Sequence, residues 1–187
     1  MDFKLALSGT FGELRIDHFH SGIDIKTWGV RGKHLRAISD GYVSRIAVSG
    51  EGLGKAIYVE HPNGYTSVYA HCRNFRKDID NYVRAEQYQR ELYEVNLFPS
   101  PDKFPVQQGD IIAFSGNSGR SFGPHLHFEI RRTEGQKPLN PLAFGMPVKD
   151  FVRPTFQRIM IYPYGNFSFV NRVNEPGEYA TTGWGPD

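Results

Sequence analysis

The stretch that most constrains this sequence runs from Gly123 to Ile130 and reads GPHLHFEI. In it His125, His127 and Glu129 alternate with apolar residues, and a repeat of two residues predicts a β-strand with the polar side chains on one face. Each residue advances a strand by about 3.3 Å, so the two imidazoles are expected about 6–7 Å apart. At that spacing one imidazole can bind a metal ion while the other acts on a water molecule. A plain, half-exposed strand face is the alternative interpretation.

The composition indicates one folded domain, with room for an appendage, that is rich in β-structure. The 187 residues are 39% apolar and 14% aromatic, which is enough to bury a core and argues against disorder. The 20 glycines and 12 prolines indicate many turns. Because the net charge is only +2 and the basic residues are scattered, we expect no nucleic-acid partner.

Cysteine content and hydropathy say little about the compartment. The single cysteine, Cys72, cannot form an intrachain disulfide, and we expect it to be a small buried thiol. No apolar run approaches the ~18 residues needed to span a bilayer. Met1 to Thr10 also lacks the apolar core of a signal peptide, so we expect a protein that either is cytoplasmic or has lost a signal.

Short segments of alternating or β-branched residues, separated by turn residues, predict a series of strands. The segment from Leu35 to Val48 predicts two strands around an internal Asp-Gly turn. Ala56–Glu60 and Tyr65–Ala70 predict a hairpin, because the connecting HPNG tetrapeptide contains the strong turn signal Asn-Gly. Val106–Ser115 predicts two more short strands around a Gln-Gly-Asp turn.

Residues 74–104 interrupt this β pattern. The spacing of the apolar residues and a high content of helix formers predict a helix over Asp78–Arg90, and Glu91–Leu97 is expected to return as a strand. We interpret the segment as an insertion at the rim of the β-core. It is either a plain surface insertion or a lid or wall of a substrate site.

The predicted domain organisation has three parts. Residues 1–16 are expected to be an extended lead-in, and residues 17–147 the main domain with its insertion. Residues 148–187 contain two further segments predicted as strands, Gln157–Tyr162 and Ser168–Arg172. This last part indicates a C-terminal β extension or the start of a second domain.

Residues able to bind a metal or transfer a proton recur at the predicted strand ends and turns: His20, Asp24, His71, His125 and His127. Two histidines and one carboxylate with open positions form a typical catalytic metal site, and histidines left off the metal can transfer protons. His18 alternates with His20 and competes as a ligand, whereas His34 and His61 are expected at the surface. The same ligand set holds Fe(II) in oxygenases, which keeps iron as an alternative to zinc.

A series of motifs over residues 17 to 131 resembles the lysostaphin-like (LytM-type) zinc endopeptidases. In chain order the motifs are His20-x-Gly22-x-Asp24, Ala37-Ile38-Ser39-Asp40-Gly41-Tyr42-Val43, Tyr69-Ala70-His71, Val106-Gln107-Gln108-Gly109-Asp110, Ser115-Gly116-Asn117-Ser118-Gly119 and Gly123-Pro124-His125-Leu126-His127-Phe128-Glu129. Their number and order make the match more specific than one short motif. Residues after about 145 lie outside the match, and the long insertion departs from the compact members.

The resemblance implies a fold, a cofactor and an activity. The fold is all-β, a mainly antiparallel sheet core with a substrate groove and a small helical insertion (lysostaphin/LytM-type, duplicated hybrid motif-like). The implied metal ligands are His20, Asp24 and His127, which hold one Zn²⁺ ion, and the implied catalytic pair is His71 and His125. The implied activity is that of a zinc metalloendopeptidase that cleaves a stem or cross-bridge peptide of bacterial peptidoglycan.

Two readings without catalysis compete with this one. One is a silent zinc-binding regulator or activator of cell-wall amidases, and the other is a β-rich binding module with incidental histidines. All five positions are filled, which favours the enzyme. A cell-wall hydrolase acts outside the cytoplasmic membrane, so the resemblance also implies an extracytoplasmic protein (periplasm, cell envelope or secreted) whose signal has been removed. Glu129 is expected either to orient an imidazole as a hydrogen-bond acceptor or to lie at the surface.

Overall fold

The structure is a computed structural model that describes residues 3–148, 158–164, 168–169 and 175–180. The chain divides into two compact units, Met1–Lys149 and Asp150–Asp187. The described part of the first unit contains twelve strands, one α-helix and two short 3₁₀ helices. This content confirms the predicted all-β fold with a small helical insertion.

The elements of the first unit follow one another along the chain. The strands are β1 (Leu7–Gly9), β2 (Ile23–Lys26), β3 (His34–Arg36), β4 (Gly41–Val48), β5 (Ala56–Glu60), β6 (Tyr65–Ala70), β7 (Cys72–Phe75), β8 (Val95–Leu97), β9 (Pro105–Val106), β10 (Ile111–Ser115), β11 (His125–Arg132) and β12 (Pro138–Leu139). The helix α1 spans Lys77–Arg90, and the 3₁₀ helices span Glu134–Gln136 and Pro141–Phe144.

Nine of these strands form one antiparallel sheet, in the order β1-β2-β11-β6-β5-β4-β8, with β9 also paired to β4 and β12 to β11. The interior strand β11 pairs His127 with Asp24 on β2 and with Ala70 on β6. Its apolar residue Phe128 is fully buried on one face, and His127 and Glu129 are buried on the other. The interpretation of this segment as a half-exposed strand is therefore wrong.

The main core lies on the apolar face of this sheet. A second sheet, of order β3-β10-β7, and the inner side of α1 contribute to the same buried cluster. Tyr69 and Phe128 are both fully buried and pack edge to face with ring centroids 5.2 Å apart. Full burial of such a ring stabilises the fold by about 1.5–3 kcal/mol.

The other face of the sheet carries the candidate site residues and a smaller cluster of side chains. Ala56, Tyr58, Val68 and Ala70 form this second buried cluster. The partly buried Ala47 and Leu53 pack against these four residues. This polar side of the sheet is called the open face below.

The predicted hairpin of β5 and β6 forms, with Glu60 opposite Thr66. The prediction that His61 in its turn lies at the surface is wrong, because this residue is 5% exposed. His61 Nδ1 donates to the carbonyl of Asp40 at 2.8 Å, and its Nε2 accepts from Ser67 Oγ at 2.8 Å. Contacts with a loop distant in sequence bury a residue that local turn chemistry places outside.

The two strands predicted between Leu35 and Val48 also form, but the turn between them joins two different sheets. β3 pairs with β10, whereas β4 pairs with β5 and β8. Asp40 in the turn accepts from the backbone N–H of Gln108 at 2.7 Å through Oδ1. This bond ties the crossover to the turn before β10.

The predicted helix is confirmed as α1, one residue longer at its start. Ile79 and Val83 are its buried residues, and Asp78 and Asp80 in the first turn complement the positive end of the helix dipole. The strand predicted to follow is present in its last three residues as β8. Among the described residues, none of the helices combines the length and apolar character that a membrane span requires.

In the second unit the described residues form one antiparallel hairpin of β13 (Arg158–Ile161) and β14 (Gly177–Ala180). β13 lies within the predicted strand Gln157–Tyr162. The other predicted strand, Ser168–Arg172, is not a strand at its first two residues, and Val170–Arg172 lie outside the described residues.

Candidate active site

Three side chains from distant parts of the sequence meet on the open face of the main sheet. His20 Nε2, Asp24 Oδ1 and His127 Nδ1 lie 3.0–3.1 Å from one another. All three residues are buried. Asp24 and His127 are opposite each other on β2 and β11, and His20 reaches them from the turn before β2. Gly22 makes this turn possible, since a Cβ there would lie 2.3 Å from the carbonyl oxygen of Phe128.

Each of the three converging atoms presents a lone pair. His20 Nδ1 donates to the carbonyl of Thr10 at 2.8 Å, and His127 Nε2 donates to Glu129 Oε1 at 2.8 Å. Carbonyl and carboxylate oxygens only accept, so the ring protons sit on those nitrogens and the facing nitrogens are bare. Three acceptors so close together are stable around a cation. They fit a tetrahedral metal ion with bonds of about 2.0–2.2 Å, whose ligand atoms lie about 3.3 Å apart.

Arg15 holds the second oxygen of the candidate carboxylate ligand. Its Nη2 donates to Asp24 Oδ2 at 2.8 Å, so Oδ1 alone is directed toward the two imidazoles. Arg15 lies in a loop that folds back on itself, in which His20 N donates to the carbonyl of Glu13 at 2.8 Å. The loop therefore positions both His20, a candidate ligand, and Arg15, which holds the other candidate ligand Asp24.

His71 and His125 lie beside this cluster, with their ring centroids 4.7 Å apart. His125 Nε2 is 3.5 Å from Asp24 Oδ1. His71 Nδ1 donates to the carbonyl of Ser118, and His125 Nδ1 donates to the carbonyl of Gly123, both at 2.8 Å. In each neutral ring Nε2 is thus the nitrogen that can take up a proton.

The backbone holds His71 in an unusual conformation. Its φ of 56° lies in the left-handed region, which costs a non-glycine residue on the order of 1 kcal/mol. The residue joins β6 to β7, and its N–H donates to the carbonyl of Leu53 at 3.0 Å. Strain of this kind is concentrated at functional sites, where the surrounding structure maintains it.

Burial and neighbouring charges shift the titration of three site residues. Burial raises the pKa of Asp24, but contacts with the surrounding imidazoles outweigh it and hold that pKa well below its usual range. Burial lowers the pKa of His71 to about 4. Burial also raises the pKa of Glu129, yet its bonds with His127 and Arg131 outweigh this and lower the pKa to about 2. Near pH 7 both carboxylates are charged and His71 is neutral.

The structure brings together all five residues predicted for the site: His20, Asp24, His71, His125 and His127. His18 is not part of this group. It is exposed, and its Nδ1 lies 2.6 Å from Asp17 Oδ1. Glu129 is fully buried and accepts from His127 and from Ser21 Oγ, the latter at 2.6 Å. Of the two expectations for Glu129, the surface position is wrong. The roles of the five residues as ligands and catalysts stay predictions.

Sequence reasoning missed Arg15 and the carbonyl of Thr10, both within the segment expected to be a lead-in. Periodicity cannot locate them, because they act through a loop of irregular backbone. The available signal was a basic residue five positions before His20, between Gly12 and Gly22, in a segment whose glycines indicate tight folding. A buried carboxylate ligand with one free oxygen needs such a partner.

A buried His-Asp-His cluster with two further imidazoles beside it, on one face of an antiparallel sheet, is an arrangement that could hold a metal ion and is typical of metal-dependent hydrolases. The profile of peptidase family M23 matches residues 18–88 and 101–141, which is more than half of the chain. The chain belongs to this family, and the resemblance seen in its motifs is confirmed.

Comparison with individual proteins agrees with this assignment. The chain is 31% identical over 134 residues to the DD-carboxypeptidase/endopeptidase Mpg of Neisseria meningitidis serogroup B, which covers 72% of this chain and 24% of that protein. The chain thus spans less than a third of the length of the curated relatives it matches. Csd3 of Helicobacter pylori is 27% identical, with a TM-score of 0.51 over 77% of this chain and 31% of that one.

The fold itself is shared more widely. The catalytic domain of the antimicrobial peptidase lysostaphin from Staphylococcus simulans has a TM-score of 0.56, over 75% of this chain and 91% of that one. Its identity of 22% makes this a likeness of fold alone. The predicted lysostaphin-like fold is therefore confirmed.

Proposed function

We propose that this protein is a zinc-dependent endopeptidase that hydrolyses the peptide cross-links of bacterial peptidoglycan. The observation that carries the proposal is the convergence of three lone pairs, from His20, Asp24 and His127, beside two histidines with free Nε2 atoms. Membership of a peptidase family supports peptide hydrolysis. The name of the relative Mpg, a DD-carboxypeptidase/endopeptidase, supports a substrate that contains D-amino acids.

His20, Asp24 and His127 would hold the zinc ion. A zinc ion bound there would supply Lewis acidity, which activates water and polarises the scissile carbonyl. Two neutral imidazoles and one carboxylate would leave the site with a net charge of about +1. Arg15 and Glu129 fix the orientation of two ligands, so that little reorganisation accompanies the reaction.

His125 acts as the general base. Its Nδ1 proton is committed to the carbonyl of Gly123, so Nε2 takes the proton of the attacking water. That nitrogen is 3.5 Å from Asp24 Oδ1 and therefore adjoins the position between the ligands. The same proton can then pass to the leaving amine.

His71 orients the water at the start of the reaction. Burial keeps the ring neutral near pH 7, and its Nδ1 proton is committed to the carbonyl of Ser118. Its Nε2 therefore accepts a hydrogen bond from the water, and it can donate to the oxyanion only after it has taken up a proton. The left-handed backbone conformation of His71 fixes the direction in which its Nε2 points.

A comparison of three histidine variants tests these roles. We expect His71→Ala to keep the bound metal and lose turnover, and His20→Ala to lose both. His18→Ala is the matched control, because His18 is exposed and outside the cluster, and it should keep both. Metal content by elemental analysis and the release of new amine ends from peptidoglycan are the measurements. A fully active His71→Ala protein would contradict the role of His71.

Defined cross-linked muropeptides test the substrate. We expect the protein to cut them at the cross-link, with products identified by mass, and a chelator to abolish the cleavage. Intact dimers after long incubation with the zinc-loaded protein would overturn the proposal in favour of a silent regulator. Action on this substrate requires a location outside the cytoplasmic membrane, which the proposal includes.

A further inference from the structure

The open face of the main sheet extends from the candidate metal site to Arg45. One row of paired residues crosses the sheet: Glu129 pairs with Val68, Val68 with Tyr58, and Tyr58 with Arg45. Residues paired across strands point to the same side, so Arg45 lies on the face that carries His127. Neighbouring strands are about 4.8 Å apart, which places the Cα atom of Arg45 about 14 Å from that of Glu129.

The side chains between these two points are packed. Ala70 and Ala56 are both fully buried, and the partly buried Ala47 and Leu53 pack against their cluster. An extended peptide that reaches Arg45 from the metal site therefore lies on the outer side of these residues. At about 3.4 Å per residue, about four residues of such a peptide cover the distance to Arg45.

The guanidinium group of Arg45 is held in place by three neighbours. Its Cζ lies 4.7 Å from the ring centroid of Tyr58 and 5.7 Å from that of Phe98. Its Nε donates to Asn96 Oδ1 at 2.8 Å. Stacking on an aromatic ring and a fixed Nε reduce the entropy that a flexible arginine would lose when it binds a ligand.

Arg45 and Arg131 both lie beside the ring of Tyr58, but only Arg131 has a carboxylate partner among the described residues. Arg131 lies 5.7 Å from the Tyr58 centroid and forms an ion pair with Glu129. Within the described part of the chain Arg45 has no carboxylate partner, and its terminal N–H groups remain open. A planar guanidinium with open terminal N–H groups matches a carboxylate, which it can bind through two parallel hydrogen bonds.

Two of the residues that hold Arg45 belong to this chain's own insertion. Asn96 lies on β8, which extends the main sheet by pairing with β4, and Phe98 follows it. Both lie between the ranges 18–88 and 101–141 that match the family profile. The arrangement around Arg45 is therefore added to the shared fold by residues outside the family match.

We infer that Arg45, held by Tyr58, Asn96 and Phe98, forms a subsite that binds a carboxylate of the peptide substrate about four residues from the scissile bond. The inference rests on the proposed function, because it takes the ligand to be a peptide that runs from the metal site across the open face. The carboxylate belongs to an acidic residue or to a chain end, and both present the same chemistry to a guanidinium.

Binding measurements with three forms of a cross-linked muropeptide dimer test this subsite. All proteins in this experiment, including the one called wild type, also carry His71→Ala, so that the dimers are bound but not cleaved during the titration. One form has free carboxylates, the second is amidated at its acidic residues, and the third is amidated at its chain ends only. We expect the wild type to bind the free form about 10-fold more tightly than the amidated form that lacks the recognised carboxylate. The form that loses affinity identifies the source of the carboxylate. Calorimetry gives the dissociation constants.

Arg45→Gln should bind all three forms with the same, weaker affinity. The matched control is Arg84→Gln. Arg84 is an exposed arginine that pairs with Asp80 on α1, and this helix packs against the main core rather than the open face. This variant should keep the wild-type preference. Asn96→Ala, at an exposed position, keeps the guanidinium but removes the acceptor of its Nε, so it should reduce the preference. This variant replaces Arg45→Gln in the test if Arg45→Gln does not fold.

Equal binding of all forms by the wild type, or a preference that survives in both Arg45→Gln and Asn96→Ala, would overturn the subsite. Absence of binding to any form would overturn it as well. Selective binding that depends on Arg45, without cleavage of the dimer by the protein with His71 intact, would support the subsite and contradict the proposed endopeptidase activity instead. The two proposals therefore fail in different experiments.

Discussion

Asp24 on β2 lies directly opposite His127 on β11, and 3.0 Å separates Asp24 Oδ1 from His127 Nδ1. This relationship follows from strand register, because a slip of one residue would turn His127 to the apolar face. The adjacent pair Ile25 and Leu126 prevents the slip, since both side chains are fully buried in the core. The hydrophobic face of the sheet thus sets the geometry of the candidate metal site on the other.

Glu129→Gln should weaken zinc binding about 10- to 100-fold while the fold is kept. Glu129 accepts the Nε2 proton of His127, and its negative charge makes the opposite ring nitrogen a better ligand. A glutamine keeps the acceptor oxygen and the volume but loses the charge. Competition with a chromophoric chelator measures the affinity. Glu134→Gln, at an exposed position, is the control, and equal affinity for both variants would contradict the orienting role of Glu129.

Removal of the proposed zinc ion should destabilise the folded protein. Three acceptors 3.0–3.1 Å apart repel one another without a cation, and zinc at 100 times its dissociation constant adds about 2.7 kcal/mol to the free energy of unfolding. A chelator should therefore lower the Tm of the wild type and have no effect on Asp24→Asn. Asp17→Asn, at an exposed carboxylate, should respond like the wild type. An unchanged wild-type Tm after chelation would count against the metal site.

Phe128→Ala should cost about 3–5 kcal/mol of unfolding free energy. Phe128 is fully buried and packs edge to face on Tyr69, so its removal leaves a cavity between β11 and β6. Phe122→Ala is a matched control, because the Phe122 side chain is fully exposed, and it should change the stability by less than about 0.5 kcal/mol. Denaturant unfolding followed by circular dichroism measures both. A loss below about 1 kcal/mol for Phe128→Ala would show that this part of the core repacks.

The parts of the fold that could be predicted are those with a local signal. The hairpin of β5 and β6, the helix α1 and the strand β11 each have a periodicity or a turn pair that acts over a few residues. The five site residues were found because the family motifs keep them at fixed positions within such elements. Strand periodicity alone placed His125 and His127 on one face but could not tell which would lie near Asp24.

The parts that could not be predicted depend on contacts between distant segments. The burial of His61 comes from Asp40, and the position of Arg15 comes from a loop whose backbone has no repeat. The strand β8 was expected, but its place at the edge of the main sheet next to Arg45 was not. The pairing of strands depends on contacts throughout the chain, so no short segment of the sequence indicates it.

Cys72 should be unreactive in the native protein, although it directly follows His71. The thiol is fully buried, its Sγ lies 3.5 Å from the carbonyl of Tyr69, and burial raises its pKa to about 12. At pH 8 it is therefore protonated, whereas an unfolded cysteine with a pKa of about 8.5 is partly thiolate. We expect a thiol reagent to label the native chain very slowly and the denatured chain at one thiol per molecule.

The same shift predicts how stability depends on pH. Since the pKa of Cys72 is higher in the folded state, folding favours the protonated thiol, and this contribution is complete below about pH 8.5 and declines as the pH rises toward 12. Cys72→Ala should remove this alkaline decline and keep the peptidase activity, because Cys72 lies outside the candidate catalytic group. Rapid labelling of native protein at pH 8, together with loss of activity, would instead indicate an accessible and functional thiol.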